Sequence, residues 1–176
     1  MADFDESKSA VDASPADLGA LAALAPPVDD NEILYRRVLC GGDGYYLNEN
    51  HRTVVSSQAF SDRGQKPSVN RALLCEDGIA FTQEGDESNG VLSLVAKDVR
   101  AIDSVVQFDT AGRKEKLRHR IDVYPDPIKD QPGQRDNLSH AEIRPDPSYA
   151  SKSIFRKLIE RLAQLAAWAV KPADIR

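Results

Sequence analysis

The sequence predicts an α+β fold, in which a mostly antiparallel sheet of about six short strands is packed by one long C-terminal helix. The clearest strand lies over residues 117–124, where apolar and polar side chains alternate as on a strand with one buried face. The helix is indicated by Ile154, Leu158, Leu162 and later apolar residues at helical spacing, which form one apolar stripe. Short β-branched runs between glycine, proline and asparagine turns predict the remaining strands.

Acidic charge is concentrated at the N-terminal end of the chain. Residues 1–32 contain eight acidic side chains and one lysine, whereas the other residues contain 20 acidic and 22 basic ones. A serine–proline pair can start a short helix in this region, and Pro26-Pro27 would end it. We therefore predict an acidic, flexible leader over residues 1–28, with a short helix over 16–25, and a single α+β domain over 29–172.

The other elements of the domain follow in order along the chain. Strands are predicted over residues 33–39, 45–47, 79–82, 91–95, 104–108 and 140–144. Helical turns are predicted over 56–60 and 96–98, and residues 68–75 form either a strand or a short helix. Pro-Asp-Pro sequences end two strands, because proline has no backbone amide to donate to a sheet. The C-terminal helix is predicted to continue to Val170 and to stop before Pro172.

Composition indicates a protein of the reducing cytoplasm. Hydrophobic residues make up 41% of the 176 residues, and no apolar run approaches the ~18 residues that a membrane helix needs. The first residues are acidic, which argues against secretory or mitochondrial targeting. Cys40 and Cys75 are too few and too far apart to form a disulfide framework or a zinc motif. We expect a cytoplasmic protein with no membrane partner, no cofactor and no metal.

His119, His140 and Glu142 are the strongest catalytic candidates. His140 and Glu142 are two positions apart, so on a strand they point to the same face. With a second imidazole they would suit acid–base chemistry or a divalent metal, as in a small hydrolase or nuclease. The alternative is that His119 is a hydrogen-bonded core residue on the apolar face of its strand, and that Glu142 pairs with an arginine.

Arg36, Arg37, Ser56 and Ser57 form a candidate anion-binding set, because the planar guanidinium group of arginine matches a phosphate. The alternative is that one arginine makes a structural ion pair and that the other is solvated. The glycines of residues 41–44 are not followed by the lysine and the serine or threonine of a phosphate-binding loop, and they therefore predict a turn.

A basic run is the best indication of nucleic-acid binding. Its cationic side chains are Arg113, Lys114, Lys116, Arg118 and Arg120. Such side chains neutralise phosphates, so binding through them would weaken as salt is added. Aromatic residues make up only 6% of the chain and do not interleave with the run, which leaves base stacking without support. A solvated hairpin is the alternative.

A pattern of five short segments runs through the domain. These segments are Leu34–Arg37, Ser56–Phe60, Ser68-Val69, His140-Ala141 and Arg156–Val170. In them the chain resembles a family of small uncharacterised bacterial proteins, which share Leu-Tyr-Arg-Arg, Ser-Ser-x-Ala-Phe, Ser-Val, His-Ala and a helix with a tryptophan near its end. The resemblance covers about four fifths of the chain, omits the leader and does not extend over residues 113–132. It implies no activity, and it suggests a setting among bacterial accessory or conflict genes.

The sequence therefore favours a non-catalytic bacterial protein that interacts with a protein partner or serves as an accessory protein, in a conflict or defence context. The domain would present a sheet edge or a helix surface to the partner, with the acidic leader as a mobile arm. One alternative is a small hydrolase or nuclease that uses the two histidines and the glutamate. Another is a nucleic-acid binder that uses residues 113–120.

Overall fold

The computed structural model describes residues 25–102, 105–108, 115–146 and 150–173, and within them the chain has an α+β fold. The strands are β1 (Ile33–Val38), β2 (Tyr45–Leu47), β3 (Thr53–Val55), β4 (Ser68–Arg71), β5 (Gly90–Val95), β6 (Val105–Phe108), β7 (Glu115–Pro125), β8 (His140–Asp146) and β9 (Ala167–Val170). The α-helices are α1 (Gly78–Gln83), α2 (Ala96–Arg100) and α3 (Lys152–Leu165). Shorter 3-10 helices cover Ser57–Phe60, Arg63–Gln65 and Ala72–Leu74.

Seven of the described strands form one antiparallel sheet in the order β6-β7-β8-β4-β1-β5-β9. The strands β2 and β3 form a separate hairpin. Strand β1 lies between β4 and β5, and β8 lies between β4 and β7. This order places β1, from the start of the domain, between two strands from its middle, and it places β4 next to β8, from near its end.

The sheet has two chemically different faces. In β1, Leu34 is buried on one face, whereas Tyr35 and Arg37 point to the other. Paired residues of neighbouring antiparallel strands lie on the same face, so Tyr35, Asn70 and His140 lie side by side. We call the face that carries Leu34 the core face, and the face that carries Tyr35, Asn70 and His140 the open face.

The apolar side of α3 belongs to the core. Ser151 caps the helix, because its Oγ accepts a hydrogen bond from the N–H of Ile154 at 3.4 Å. The buried residues of α3 are Ile154, Leu158, Ile159 and Leu162. They belong to one apolar cluster with buried residues that include Leu34, Phe60, Leu92 and Ile143. The predicted apolar stripe is therefore buried from Ile154 to Leu162, whereas Leu165 at the end of the helix is exposed.

The helix α3 is shorter than the sequence predicts, and the residues after it form an edge strand. It ends at Leu165, and Ala166 has an extended backbone with φ −67° and ψ 133°. The strand β9 pairs with β5, with Trp168 opposite Leu92. The sequence Ala-Trp-Ala-Val fits both a helical stripe and an alternating strand, and β5 has an edge whose backbone groups need partners. The predicted helix to Val170 is therefore wrong, and the sheet gains an additional strand.

The predicted strand over residues 79–82 is also wrong, because this segment lies in α1. Asp77 caps the helix, with its Oδ1 accepting a hydrogen bond from the N–H of Ala80 at 3.1 Å. Glu84 ends the helix in the left-handed conformation, with φ 55°. A short apolar run fits a strand or a helix, and here the cap favours the helix. Residues 68–75 contain a strand followed by a 3-10 helix, so both predicted alternatives occur.

A buried ion pair between Glu32 and Arg71 ties the start of the domain to the sheet. Nε and Nη2 of Arg71 each donate to a different carboxylate oxygen of Glu32 at 2.9 Å. The same guanidinium donates to the carbonyl oxygens of Pro26 and Pro27 at 2.5 and 3.2 Å. The side chains of Arg71 and Glu32 are only 3% and 0% exposed. Arg71 therefore anchors residues 26–32 on the core face.

The predicted leader is described only at its end. Residues 1–24, with most of the helix predicted over 16–25, lie outside the described residues. Ala25 and Val28 are described, and both are buried. Among the described helices, none combines the length and the apolar character needed to cross a membrane.

Candidate functional site

The three predicted catalytic side chains do not meet. His119 lies on β7, faces the core and is only 2% exposed. His140 and Glu142 lie on the open face of β8, so the sheet separates them from His119. This arrangement matches the alternative reading, since His119 is a core residue and Glu142 pairs with Arg144. In the part of the chain that the structure describes, no group of three or more His, Cys, Asp or Glu residues is arranged to hold a metal ion.

The predicted anion-binding residues also have separate roles. The guanidinium of Arg36 pairs with Asp62 and donates to two backbone carbonyl oxygens, at 2.8 and 2.7 Å. Ser56 caps a 3-10 helix, because its Oγ accepts from a backbone N–H at 3.2 Å, and Ser57 is the first residue of that helix. Arg37 points to the opposite side of β1 from Arg36. Arg36 therefore makes a structural ion pair, as the alternative expects, whereas Arg37 is more exposed and pairs with Glu84 instead of being fully solvated.

The predicted nucleic-acid residues are described only in part. Arg113 and Lys114 lie outside the described residues, and Lys116 lies on β7. Arg118 and Arg120 are exposed on the same strand. They point away from the core, because they alternate with the buried residues of β7.

A cavity of about 690 Å³ lies on the open face of the sheet. Its walls are formed by β1, β4, β8, α1 and the loop of residues 128–137. Its polar lining includes Arg37, Asn70, Thr82, Arg135, Asn137 and His140. Sites that bind ligands commonly have volumes of about 300–1,000 Å³. The open face therefore has room for a ligand or for a segment of a partner.

A relay of hydrogen bonds shapes the floor of the cavity. Nδ2 of Asn137 donates to Oδ1 of Asn70 at 2.8 Å, and Nδ2 of Asn70 donates to Oγ1 of Thr82 at 3.0 Å. The Thr82 hydroxyl then donates to the carbonyl oxygen of Gly78 at 2.6 Å. Gly78 lets α1 approach the sheet, because a Cβ there would lie 2.7 Å from Cε2 of Tyr35. These polar groups form hydrogen bonds with other groups of the protein, and these bonds fix the shape of the cavity.

Two arginines bring positive charge to the cavity. Arg37 forms an ion pair with Glu84, and their side chains are 35% and 60% exposed. The guanidinium carbon of Arg135 lies 4.9 Å from the ring centroid of Phe81, within cation–π range. Among the described residues, no carboxylate pairs with Arg135. The ring of Phe81 therefore positions this guanidinium without neutralising it.

His140 lines the cavity, and contacts with Asp126 fix the orientation of its imidazole ring. Its Nδ1 lies 2.6 Å from the backbone oxygen of Asp126 and 3.4 Å from Oδ2 of the same residue. A carbonyl oxygen can only accept, so Nδ1 carries a proton. Burial lowers the pKa of His140, but the hydrogen bonds to Asp126 and the charges of Asp126 and Glu142 outweigh burial and raise the pKa above its ordinary value. The hydrogen bond from His140 in turn lowers the pKa of Asp126.

A cluster of charges lies beside the cavity on the open face. Oε2 of Glu142 accepts from Nε of Arg144 at 2.6 Å, and Nζ of Lys66 lies 3.6 Å away. Nη2 of Arg144 also lies 3.2 Å from Oδ1 of Asp126. The guanidinium of Arg144 lies over the ring of Tyr124, 5.4 Å from its centroid. Glu142 therefore forms ion pairs with two cationic side chains.

The strands β1 and β4 pair over only two residues each. Beyond these pairs the two strands separate, at one end of the cavity. Arg36 and Asp62 occupy the gap beyond these pairs. Arg36 donates to the carbonyl oxygen of Ser68 at 2.7 Å, and Oδ2 of Asp62 accepts from the N–H of Ser68 at 3.0 Å. The ion pair therefore satisfies backbone groups that a continuous ladder would have paired.

Sequence reasoning missed the contribution of the loop over residues 128–137. A backbone pair closes this loop, with Ile128 and Asn137 exchanging hydrogen bonds at 2.9 and 2.7 Å. The loop brings Arg135 to the ring of Phe81 and Asn137 to Asn70. The only signal in the sequence was the polar composition of the loop, which does not identify these contacts.

Three segments of the five-segment pattern meet at the cavity. Leu34–Arg37 lies on β1, Ser68-Val69 lies on β4, and His140-Ala141 lies on β8. These strands are neighbours in the sheet, and each segment contributes to the cavity lining. A scan against protein-family models found no match, and searches of curated proteins and of solved structures found no significant match.

Proposed function

We propose that the chain is a non-catalytic interaction or accessory protein and that it engages a protein partner through the cavity on the open face. The observation that carries this proposal is the convergence of three segments of the five-segment pattern on β1, β4 and β8, around one cavity. The proposal also places the chain in the small bacterial family that these segments resemble, with a bacterial conflict or defence system as its setting.

The lining of the cavity supports binding to a protein. Protein interfaces are enriched in arginine and in aromatic and apolar contacts. The cavity offers Arg37 and Arg135, with Phe81 beneath the second guanidinium. Leu39 also lines the cavity and is 58% exposed, although it is a large apolar side chain. A partner that covers Leu39 while pairing with the arginines would gain both apolar burial and charge-assisted hydrogen bonds.

Comparative affinity purification tests the proposal. The endogenous protein is tagged, and the wild type is compared with the double variant Arg37→Gln/Arg135→Gln. The matched control is Arg156→Gln/Arg161→Gln, which removes two exposed arginines from α3. We expect a stoichiometric protein that the wild type and the control retain and that the cavity variant loses. The recovered protein is then purified and titrated against each variant, so that the contact is shown to be direct.

Two outcomes contradict the proposal. One is that no stoichiometric partner is recovered under gentle conditions. The other is that the cavity variant keeps the same partner at the same stoichiometry as the wild type. In the second case the partner would bind elsewhere, for example at the exposed edge of β9.

A second candidate function is acid–base chemistry in the cavity, because His140 is held by Asp126 through Nδ1. Its Nε2 has no hydrogen-bond partner among the described residues and is available to a bound molecule. This retains His140 from the hydrolase or nuclease hypothesis. An esterase, phosphatase and nuclease panel with His140→Gln as the comparison tests it. Turnover that is equal in the two proteins would rule out this role for His140.

A further inference from the structure

The cavity contains more guanidinium groups than carboxylates. Among the described residues that line it, the three arginines Arg36, Arg37 and Arg135 face the two acidic residues Asp62 and Glu84. Arg36 and Asp62 neutralise each other where β1 and β4 separate. Arg37 forms an ion pair with Glu84, and Arg135 has no carboxylate partner within the described ranges. The cavity therefore has an unbalanced positive charge that an incoming anion would neutralise.

The ion pair between Arg37 and Glu84 is exchangeable. Ion pairs as exposed as this one contribute little to stability, because water and salt screen them. The contact uses only Nη1 of Arg37, so it is a single hydrogen bond and not a bidentate pair. A carboxylate that accepts two parallel hydrogen bonds from this guanidinium would compete with Glu84 effectively.

Arg135 is already oriented for an incoming carboxylate. The aromatic ring of Phe81 holds its guanidinium at one side, and the closed backbone pair of Ile128 with Asn137 holds the loop. A side chain that is positioned before binding loses less conformational freedom when it binds. Arg135 should therefore contribute more to anion recognition than an unsupported surface arginine.

We infer that the cavity recognises an acidic peptide segment of the partner, with one carboxylate bound by Arg135 and a second bound by Arg37 in place of Glu84. This inference rests on the proposed function. Leu39 favours a peptide over a small anion, because the exposed apolar side chain lies in the same cavity. An inorganic anion would leave Leu39 in water, whereas a peptide can cover it while presenting two carboxylates.

Fluorescence anisotropy with the full chain tests this inference. The probes are a labelled peptide of alternating glutamate and leucine, and the matched peptide with glutamine in place of glutamate. We expect the glutamate peptide to bind about tenfold more tightly, and its affinity to fall as salt is added. Arg37→Gln and Arg135→Gln should each weaken its binding about three- to tenfold. Arg156→Gln, whose side chain is 78% exposed on α3, is the control and should leave it unchanged.

The variant Glu84→Gln provides the sharpest test, because it removes the internal competitor. We expect it to bind the glutamate peptide about two- to threefold more tightly than the wild type. A nonspecific charge effect would instead make Arg156→Gln weaken binding as much as Arg37→Gln does. That result would overturn the inference.

Three further outcomes would also overturn it. The first is equal affinity for the glutamate and glutamine peptides. The second is competition by inorganic phosphate at concentrations where the peptide binds, which would assign the cavity to a free anion. The third is that a peptide of residues 1–24 competes more strongly than the glutamate peptide, which would assign the cavity to the chain's own acidic leader. If a purified partner still requires Arg37 and Arg135 while the two peptides bind equally, the inference fails and the proposed function stands.

Discussion

Replacing Glu32 by glutamine should destabilise the protein far more than removing an exposed ion pair. The substitution keeps the shape of the side chain and removes its charge, so the guanidinium of Arg71 loses its counter-charge. The side chains of Glu32 and Arg71 are 0% and 3% exposed, so water cannot solvate the guanidinium once its counter-charge is removed. Removing one partner of a buried ion pair typically costs about 3–5 kcal/mol.

The geometry places the expected cost near the lower end of that range. The amide oxygen of glutamine can still accept one of the two hydrogen bonds from Arg71, and the carbonyl oxygens of Pro26 and Pro27 still accept others. We therefore expect a loss of about 3 kcal/mol, which is a large part of the ~5–15 kcal/mol that stabilises a typical domain. The melting temperature should fall by ~6–12 °C for a chain of this length.

Urea unfolding of the full chain measures this loss. The single tryptophan, Trp168, lies on the edge strand β9 and reports unfolding by fluorescence. The double variant Glu32→Gln/Arg71→Met should be more stable than Glu32→Gln alone, because it removes the uncompensated charge. The control is Arg156→Gln, whose i,i+4 partner Glu160 is exposed, and it should cost less than ~0.5 kcal/mol.

Two results would refute this reasoning. One is a loss below about 1 kcal/mol for Glu32→Gln, which would mean that Arg71 is solvated after the substitution. The other is a double variant that is less stable than Glu32→Gln alone. That result would show that the guanidinium contributes mainly through its contacts with the two proline carbonyls.

Three other substitutions test the core, the edge strand and the open face. Leu158→Ala should cost about 3 kcal/mol in urea unfolding, because the side chain is fully buried, and a loss under ~1 kcal/mol would contradict its place in the core. Gly90→Ala should cost about 1–3 kcal/mol, because the new Cβ would lie 2.8 Å from the ring of Trp168, and an unchanged melting temperature would show that β9 moves away easily. His140→Gln should remove part of the pH dependence of stability. Burial lowers the pKa of His140 in the folded state, but the interactions with Asp126 outweigh burial and raise it. The stability that this raised pKa contributes is therefore fully present below the unfolded pKa of about 6.5, and it is lost as the pH rises through the folded pKa. Unfolding free energies that run parallel for the two proteins across this range would contradict that assignment.

Several features of the fold could be predicted because they depend on the local pattern of apolar residues. The alternation over residues 117–124 predicts the strand and also places His119 with its buried neighbours, and the structure confirms both. The spacing of Ile154, Leu158 and Leu162 predicts the buried stripe of α3. Burial of apolar surface dominates folding, so these patterns survive in the tertiary structure.

Other features could not be predicted, because their local signals are ambiguous. The segment Ala167–Val170 fits a helix as well as a strand, and the edge of β5 decides in favour of the strand. Residues 79–82 fit a strand equally well, and they become helical once Asp77 caps them. Propensity is a weak guide where a neighbouring strand or a single cap supplies more hydrogen bonds.

The sequence by itself determined the α+β class, the strand with one buried face and the apolar stripe of the last α-helix. Each of these features depends on the spacing of apolar side chains along the chain. Only the tertiary structure decided where the candidate site lies. The order of the sheet sets β1, β4 and β8 side by side, and the loop over residues 128–137 brings Arg135 to Phe81. Such contacts join residues far apart in sequence, and no local periodicity encodes the pairing of distant strands.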